Sequence, residues 1–190
     1  MALTYSSMLP LGTQLINFDL PNTITGQNYS STEIATDRPV LIMIICNHCP
    51  YVVHYHDELK RLHHDFSEQI SFVAISSNDV NNYPEDSPEK MKELWHELGF
   101  SFPYLYDETQ SVAKAYQAEC TPEFYLFDAK HDLVIEVVVM PPHQNPMKSR
   151  MARISEQPSM QQLTNSQSIL SSTHPWAAIL SGNRFSQLNL

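Results

Sequence analysis

A buried strand that runs directly into a pair of cysteines limits the architectures open to this sequence. Val40 to Cys46 is the longest fully apolar run, seven residues, and it leads into Cys46-Asn47-His48-Cys49-Pro50. A short continuous apolar run is the pattern of a strand covered on both faces. After Pro50 the apolar positions Val52, Tyr55, Leu59, Leu62 and Phe66 step by three and four, which is one face of a helix. The cysteines therefore sit where a central strand ends and a helix begins.

That position gives the pair its chemistry. The first turn of a helix carries unpaired N–H groups and about half a positive charge, which stabilises a thiolate. In such C-x-x-C settings a thiol drops from about 8.5 to between roughly 3.5 and 7. Cys46, at the strand edge, is expected to be the more exposed sulfur and to attack a substrate disulfide. Cys49, a turn further on, is expected to be buried and to resolve the mixed disulfide. His48, when protonated, favours the Cys46 thiolate. A stabilised reduced form makes a couple more oxidising, so a potential above the roughly −270 mV of a general reductant is expected.

The rest of the body alternates strand and helix. Ile70 to Ile75 reads as a second strand. Ser87-Pro88 is an N-cap and first-turn proline ahead of a helix lined by Met91, Leu94, Trp95 and Leu98, and Gly99 stops it. Tyr104 to Tyr106 reads as a short strand and Val112 to Ala118 as a short helix. Phe124 to Phe127 and Leu133 to Val139 form a hairpin around Asp128 to Asp132. The expected fold class is α/β, a mixed central sheet flanked by helices.

Charge separates this body, residues 1–139, from a tail, residues 140–190. The first holds 20 acidic and 7 basic side chains; the second has Glu156 against Lys148, Arg150, Arg153 and Arg184. An acidic chain without a basic cluster is a poor partner for nucleic acid. Its apolar runs fall far short of the roughly 20 residues that span a bilayer, and no secretory signal is visible. Three cysteines are too few for a disulfide scaffold, so a reducing, cytoplasmic setting is expected.

A Cys/His metal-binding module is the alternative from another class, using Cys46, Cys49 and a histidine. His54, His56, His63 and His64 crowd the following helix, but no two are four apart and no second C-x-x-C closes a zinc site. These histidines are read mostly as solvated surface, and no metal or other cofactor is expected. Cys120-Thr121-Pro122 precedes the hairpin. With a C-x-x-C upstream, a cis Thr121–Pro122 bond is expected. Thr121 and Pro122 then offer a docking edge for substrate, while Cys120 is a small buried residue or an auxiliary thiol.

Ile45 to Val52, Ser77-Asn78-Asp79, Tyr83 to Pro88 and Cys120-Thr121-Pro122 together resemble a peroxiredoxin-like branch of the thioredoxin-fold redoxins, the alkyl hydroperoxide reductase and thiol-specific antioxidant group. The resemblance runs from about Leu11 to about Val134. It implies a thioredoxin-like fold with an N-terminal extension, redox-active Cys46 and Cys49, and a cis-proline at Pro122 facing them. It also implies a disulfide-containing protein or small thiol as substrate and an upstream thiol electron donor. A peroxiredoxin site resembles P-x-x-x-(T/S)-x-x-C. Counting back from Cys46 gives Pro39 but Met43, and from Cys49 Ile42 and Cys46. Disulfide exchange is therefore favoured over thiol peroxidase activity, which stays as the alternative.

The tail departs from the family, whose members continue through a Gly-rich loop and a last helix to a P-S-x-G-C-N-I-K-W ending. Codons permitted for Pro175 to Asn183, read one base out of frame, give Met-Gly-Cys-Asn-Ile-Lys-Trp-Lys. The same offset turns Arg150 to Met160 into Asp-Gly-Lys-Asp-Leu-Arg-Ala-Ala-Ile-Asp, a terminal helix. Two readings follow, a frame slip near Val134 or a naturally divergent tail, and the nucleotide sequence of the gene separates them. The tail is expected to be poorly ordered, and with a frame slip the sheet is expected to lack one covering helix.

Overall fold

The computed structural model describes residues 8–138. The expected boundary at 139/140 and everything expected of the tail lie outside these residues.

Two short strands, β1 (Asp19–Pro21) and β2 (Asn28–Ser30), pair antiparallel at the N-terminal side. The main sheet has five strands in the order β5-β4-β3-β6-β7. They are β3 (Val40–Ile44), β4 (Ser71–Ser76), β5 (Tyr104–Tyr106), β6 (Glu123–Phe127) and β7 (Leu133–Val138). β3, β4 and β5 run parallel, while β6 lies antiparallel to β3 and β7 antiparallel to β6. Helices α1 (Pro50–His54), α2 (His56–Phe66), α3 (Pro88–Leu98) and α4 (Ser111–Ala115) connect them. This is the mixed, thioredoxin-like α/β sheet that the sequence anticipated.

The central strand is buried along its whole length, and Val40, Ile42 and Ile44 join Val73, Ile75, Leu105, Tyr125 and Phe127 in one apolar cluster. Residues at alternate positions share a face, so this cluster lies on one side of the sheet. Val52, Leu59, Leu62 and Phe66 are buried as the helical period required. The helix they line is broken at Tyr55, whose backbone leaves helical geometry at φ −96° and ψ 3°. Ser87 caps α3 by accepting from the Lys90 N–H, and Gly99 ends it at φ 75°, a conformation that costs other residues more. Trp95 is buried in α3 and donates from its indole nitrogen to the Phe102 carbonyl at 2.9 Å.

His54 and His64 are exposed, as expected of helix surface. His56 and His63 are half-buried instead, and the His63 ring packs against Phe72, Phe100 and Phe102. Among the described residues no helix is long and apolar enough to cross a membrane.

Candidate active site

β3 delivers Cys46 to the edge of the sheet, where the Ile45 N–H still bonds the Ile75 carbonyl. Helical geometry starts only at Pro50, which leaves Cys49 as the N-cap of α1. Facing them is the loop before β6, where the Thr121–Pro122 peptide bond is cis. Thr121 meets both sulfurs. Its hydroxyl lies 3.3 Å from Cys46 Sγ, and its carbonyl oxygen lies 3.4 Å from Cys49 Sγ. Both cysteines are free thiols. Pro122 is buried and Thr121 half-buried.

The order of exposure is the reverse of the expectation. Cys46 is only 2% exposed, whereas Cys49 is half-buried. The reason is the late start of the helix, which keeps Cys46 inside the end of the sheet and places Cys49 at the amide-rich terminus. The charge preference follows the same order. Cys49 is lowered to about 5, chiefly by its hydrogen bond with Cys46, with Thr121 and the N–H groups of Val52 and Tyr51 adding to it against the cost of burial. Cys46 is pushed up by the same Cys46–Cys49 bond, by burial and by the charge of Asp86, against the Thr121 hydroxyl. Of the two sulfurs, Cys49 is therefore the more acidic.

The His48 side chain bonds Asp86. Its Nδ1 lies 2.6 Å from Asp86 Oδ2, and its ring stacks on Tyr83 with centroids 4.5 Å apart and planes 4° from parallel. Asp86 is fully buried in the turn Pro84–Asp86 just before α3. Its Oδ1 accepts the backbone N–H groups of Asn47 at 2.6 Å and His48 at 3.2 Å, and its Oδ2 also accepts Asn78 Nδ2 at 2.6 Å. Asn47 is tied further, donating to the Glu85 carbonyl and accepting from the Tyr104 hydroxyl at 3.0 Å. One carboxylate thus fixes the two residues between the cysteines. A buried carboxylate is stable only when its oxygens are satisfied in this way.

Asp86, Asn78, Tyr83 and Tyr104 had no assigned role at the level of sequence. The first three lie in segments that carried the family resemblance, which was the available signal. Tyr104 gave none beyond a strand position.

Glu123 holds the opposing loop. It is fully buried on β6 and accepts the N–H groups of Glu119 at 3.0 Å and Cys120 at 2.9 Å, the Cys120 thiol at 3.3 Å and the Tyr125 hydroxyl at 2.7 Å. Cys120 is half-buried rather than buried.

Donor atoms of Cys46, His48 and Asp86 lie within 4.8 Å of one another. The histidine and Asp86 are already bonded to each other, however, and each Asp86 oxygen accepts two hydrogen bonds. Large apolar side chains left exposed among the described residues are Tyr51, Val53 and Tyr83, all beside the cysteines or on His48.

Residues 11–135 match the family model described as the AhpC/TSA family. Among solved structures, an uncharacterized conserved protein from Geobacillus kaustophilus is 48% identical with a TM-score of 0.71, covering 78% of this chain and 81% of its own. A hypothetical protein from Sinorhizobium meliloti 1021 is 28% identical with a TM-score of 0.69, covering 96% and 91%. The C-terminal domain of a putative thiol-disulfide oxidoreductase from Bacteroides thetaiotaomicron, 18% identical with a TM-score of 0.56 over 67% and 86%, shares the fold. Among curated proteins none matches the chain.

Proposed function

We propose that this chain, which belongs to the AhpC/TSA family, is a dithiol–disulfide oxidoreductase in which Cys49 attacks and Cys46 resolves. Family membership supports a redox enzyme. What supports the finer reading is the pair of free thiols held against one residue, Thr121, with Cys49 the more exposed and the more acidic of the two.

In the first step the Cys49 thiolate attacks a substrate disulfide, forming a Cys49–substrate mixed disulfide and releasing one substrate thiolate. In the second, Cys46 loses its proton and attacks Cys49 Sγ. The Cys46–Cys49 disulfide forms and the second substrate thiolate leaves. Two electrons pass from the protein to the substrate, and an upstream thiol donor restores the dithiol. Exposed Tyr51, Val53 and Tyr83 give the surface around the sulfurs an apolar character that suits a protein substrate.

Peroxide reduction is the second reading, favoured by the acidified Cys49 with a second thiol beside it. Cys49 would become a sulfenic acid and Cys46 would condense with it. Turnover of insulin disulfide and of hydrogen peroxide, measured with the same thiol reductant, separates the two. The expected result is insulin reduction that is lost in Cys49→Ser and in Cys46→Ser. Efficient peroxide turnover without insulin reduction would overturn the disulfide reading.

A further inference from the structure

We propose that His48, oriented by Asp86, is the base that takes the proton from Cys46 when this thiol resolves the mixed disulfide. The inference rests on the proposed roles of Cys49 as attacker and Cys46 as resolver.

The resolving step needs a base because Cys46 is buried and its ionisation is opposed by its surroundings. Among the described residues, Cys49, Asp86 and Tyr104 interact electrostatically with Cys46, and a ring nitrogen of His48 lies within 4.8 Å of its sulfur. At this stage Cys49 is bound in the mixed disulfide. Asp86 has its oxygens filled by Asn47, His48 and Asn78. Tyr104 holds its own proton because it is fully buried. His48 is the group left.

Two contacts fix the orientation of its ring. A carboxylate only accepts, so Nδ1 donates to Asp86 across the 2.6 Å bond, and the role of base falls to Nε2. The parallel Tyr83 ring holds the imidazole plane. A gap of up to 4.8 Å is wider than a direct hydrogen bond, so in this proposal one water carries the proton across it. The proton moves from Cys46 Sγ to Nε2, the Cys46 thiolate attacks Cys49 Sγ, and the imidazolium returns the proton to the departing substrate thiolate. The other substrate thiolate, released earlier, takes its proton from solvent. Asp86 is the positioning residue in this sequence, and His48 the catalytic one.

The two steps can be read separately with dipyridyl disulfide, whose first released thione reports attack by Cys49 and whose second reports resolution by Cys46. In His48→Ala the second release is expected to slow about 100-fold, within the usual range for removal of a positioned base, while the first changes little. Added imidazole is expected to restore part of the second rate. Asp86→Asn supplies an independent sign. If Asp86 acted only as a charge, its removal would ease Cys46 ionisation and speed the second release, whereas its loss as a positioning group slows it.

Equal slowing of both releases in His48→Ala, a second release at the wild-type rate, absence of imidazole rescue, or acceleration in Asp86→Asn would each overturn this inference. A wild-type protein that releases no second equivalent would instead defeat the proposed function itself.

Discussion

The sulfur of Cys49 lies 3.4 Å from the Thr121 carbonyl oxygen, while the Thr121 hydroxyl meets Cys46 at 3.3 Å. The carbonyl can only accept, so it favours the protonated Cys49, and the acidity of Cys49 comes first from its bond with Cys46. Cys49 is lowered to about 5, with Cys46 the largest cause and Thr121 a smaller one. Alkylation of the reduced protein is expected to titrate with a midpoint near that value. Cys46→Ala should move the midpoint upward further than Thr121→Val does. A midpoint at the ordinary thiol value of about 8.5 in the wild type contradicts the assignment. The sign for stability follows. A thiol more acidic in the fold than in the unfolded chain stabilises the reduced fold above the unfolded value, and this contribution is lost as pH falls through about 5.

Asp86 holds the Cys46–Cys49 segment from outside it. Replacing it with alanine leaves the Asn47 and His48 N–H groups without their buried acceptor. Each orphaned donor costs about 1–3 kcal/mol, so Asp86→Ala is expected to destabilise by roughly 3 kcal/mol. Denaturant unfolding of the reduced protein reads this directly. A change below about 0.5 kcal/mol, the level of an ordinary surface substitution, would show that the carboxylate is not an organising centre.

Glu136, on β7, is buried and accepts the Leu9 N–H at 2.8 Å. Burial pushes it up to about 7, with the Glu123 charge adding to the shift and the Leu9 bond opposing it. The folded state then keeps a proton that the unfolded chain has released. Stability from this group falls as pH rises from the ordinary carboxylate range toward about 7, and it is level above that. Glu136→Gln keeps an acceptor for Leu9 and is expected to flatten the decline. Parallel pH profiles of the unfolding midpoint in both proteins would contradict the shift.

Trp95 links the core to the site. It packs against Tyr104 with centroids 4.2 Å apart and planes tilted by 31°, and the Tyr104 hydroxyl donates to Asn47. Trp95→Ala is expected to cost about 3–5 kcal/mol in unfolding free energy. It should also slow disulfide turnover more than an equally destabilising change at the hairpin, such as Leu133→Ala. Equal effects on turnover would show that Tyr104 does not carry the coupling.

Much of this was legible in the sequence. The apolar run at Val40, the period of Val52 to Phe66, the Ser87 cap and the hairpin at Asp128 all express local rules, and the sheet follows from them. Cys46, Cys49 and Thr121 come into contact, and a ring nitrogen of His48 lies within 4.8 Å of Cys46. The order of the two sulfurs was not legible. It depends on whether helical geometry begins at Cys46 or at Pro50, and boundaries shift by a residue or two without any change in pattern. Asp86 was also out of reach. Its role is set 39 residues from Asn47 in sequence, by a turn whose position only the packed fold fixes.

Trapping the reaction intermediate tests the central claim most directly. Reduced Cys46→Ser and Cys49→Ser proteins, each exposed to a disulfide-bonded protein substrate, are digested and mapped by mass spectrometry. The expected result is a stable mixed disulfide on Cys49 in Cys46→Ser, little adduct in Cys49→Ser, and a Cys46–Cys49 crosslink in the oxidised wild type. A mixed disulfide that accumulates on Cys46 instead, or a wild type that never forms the internal crosslink, would contradict the account.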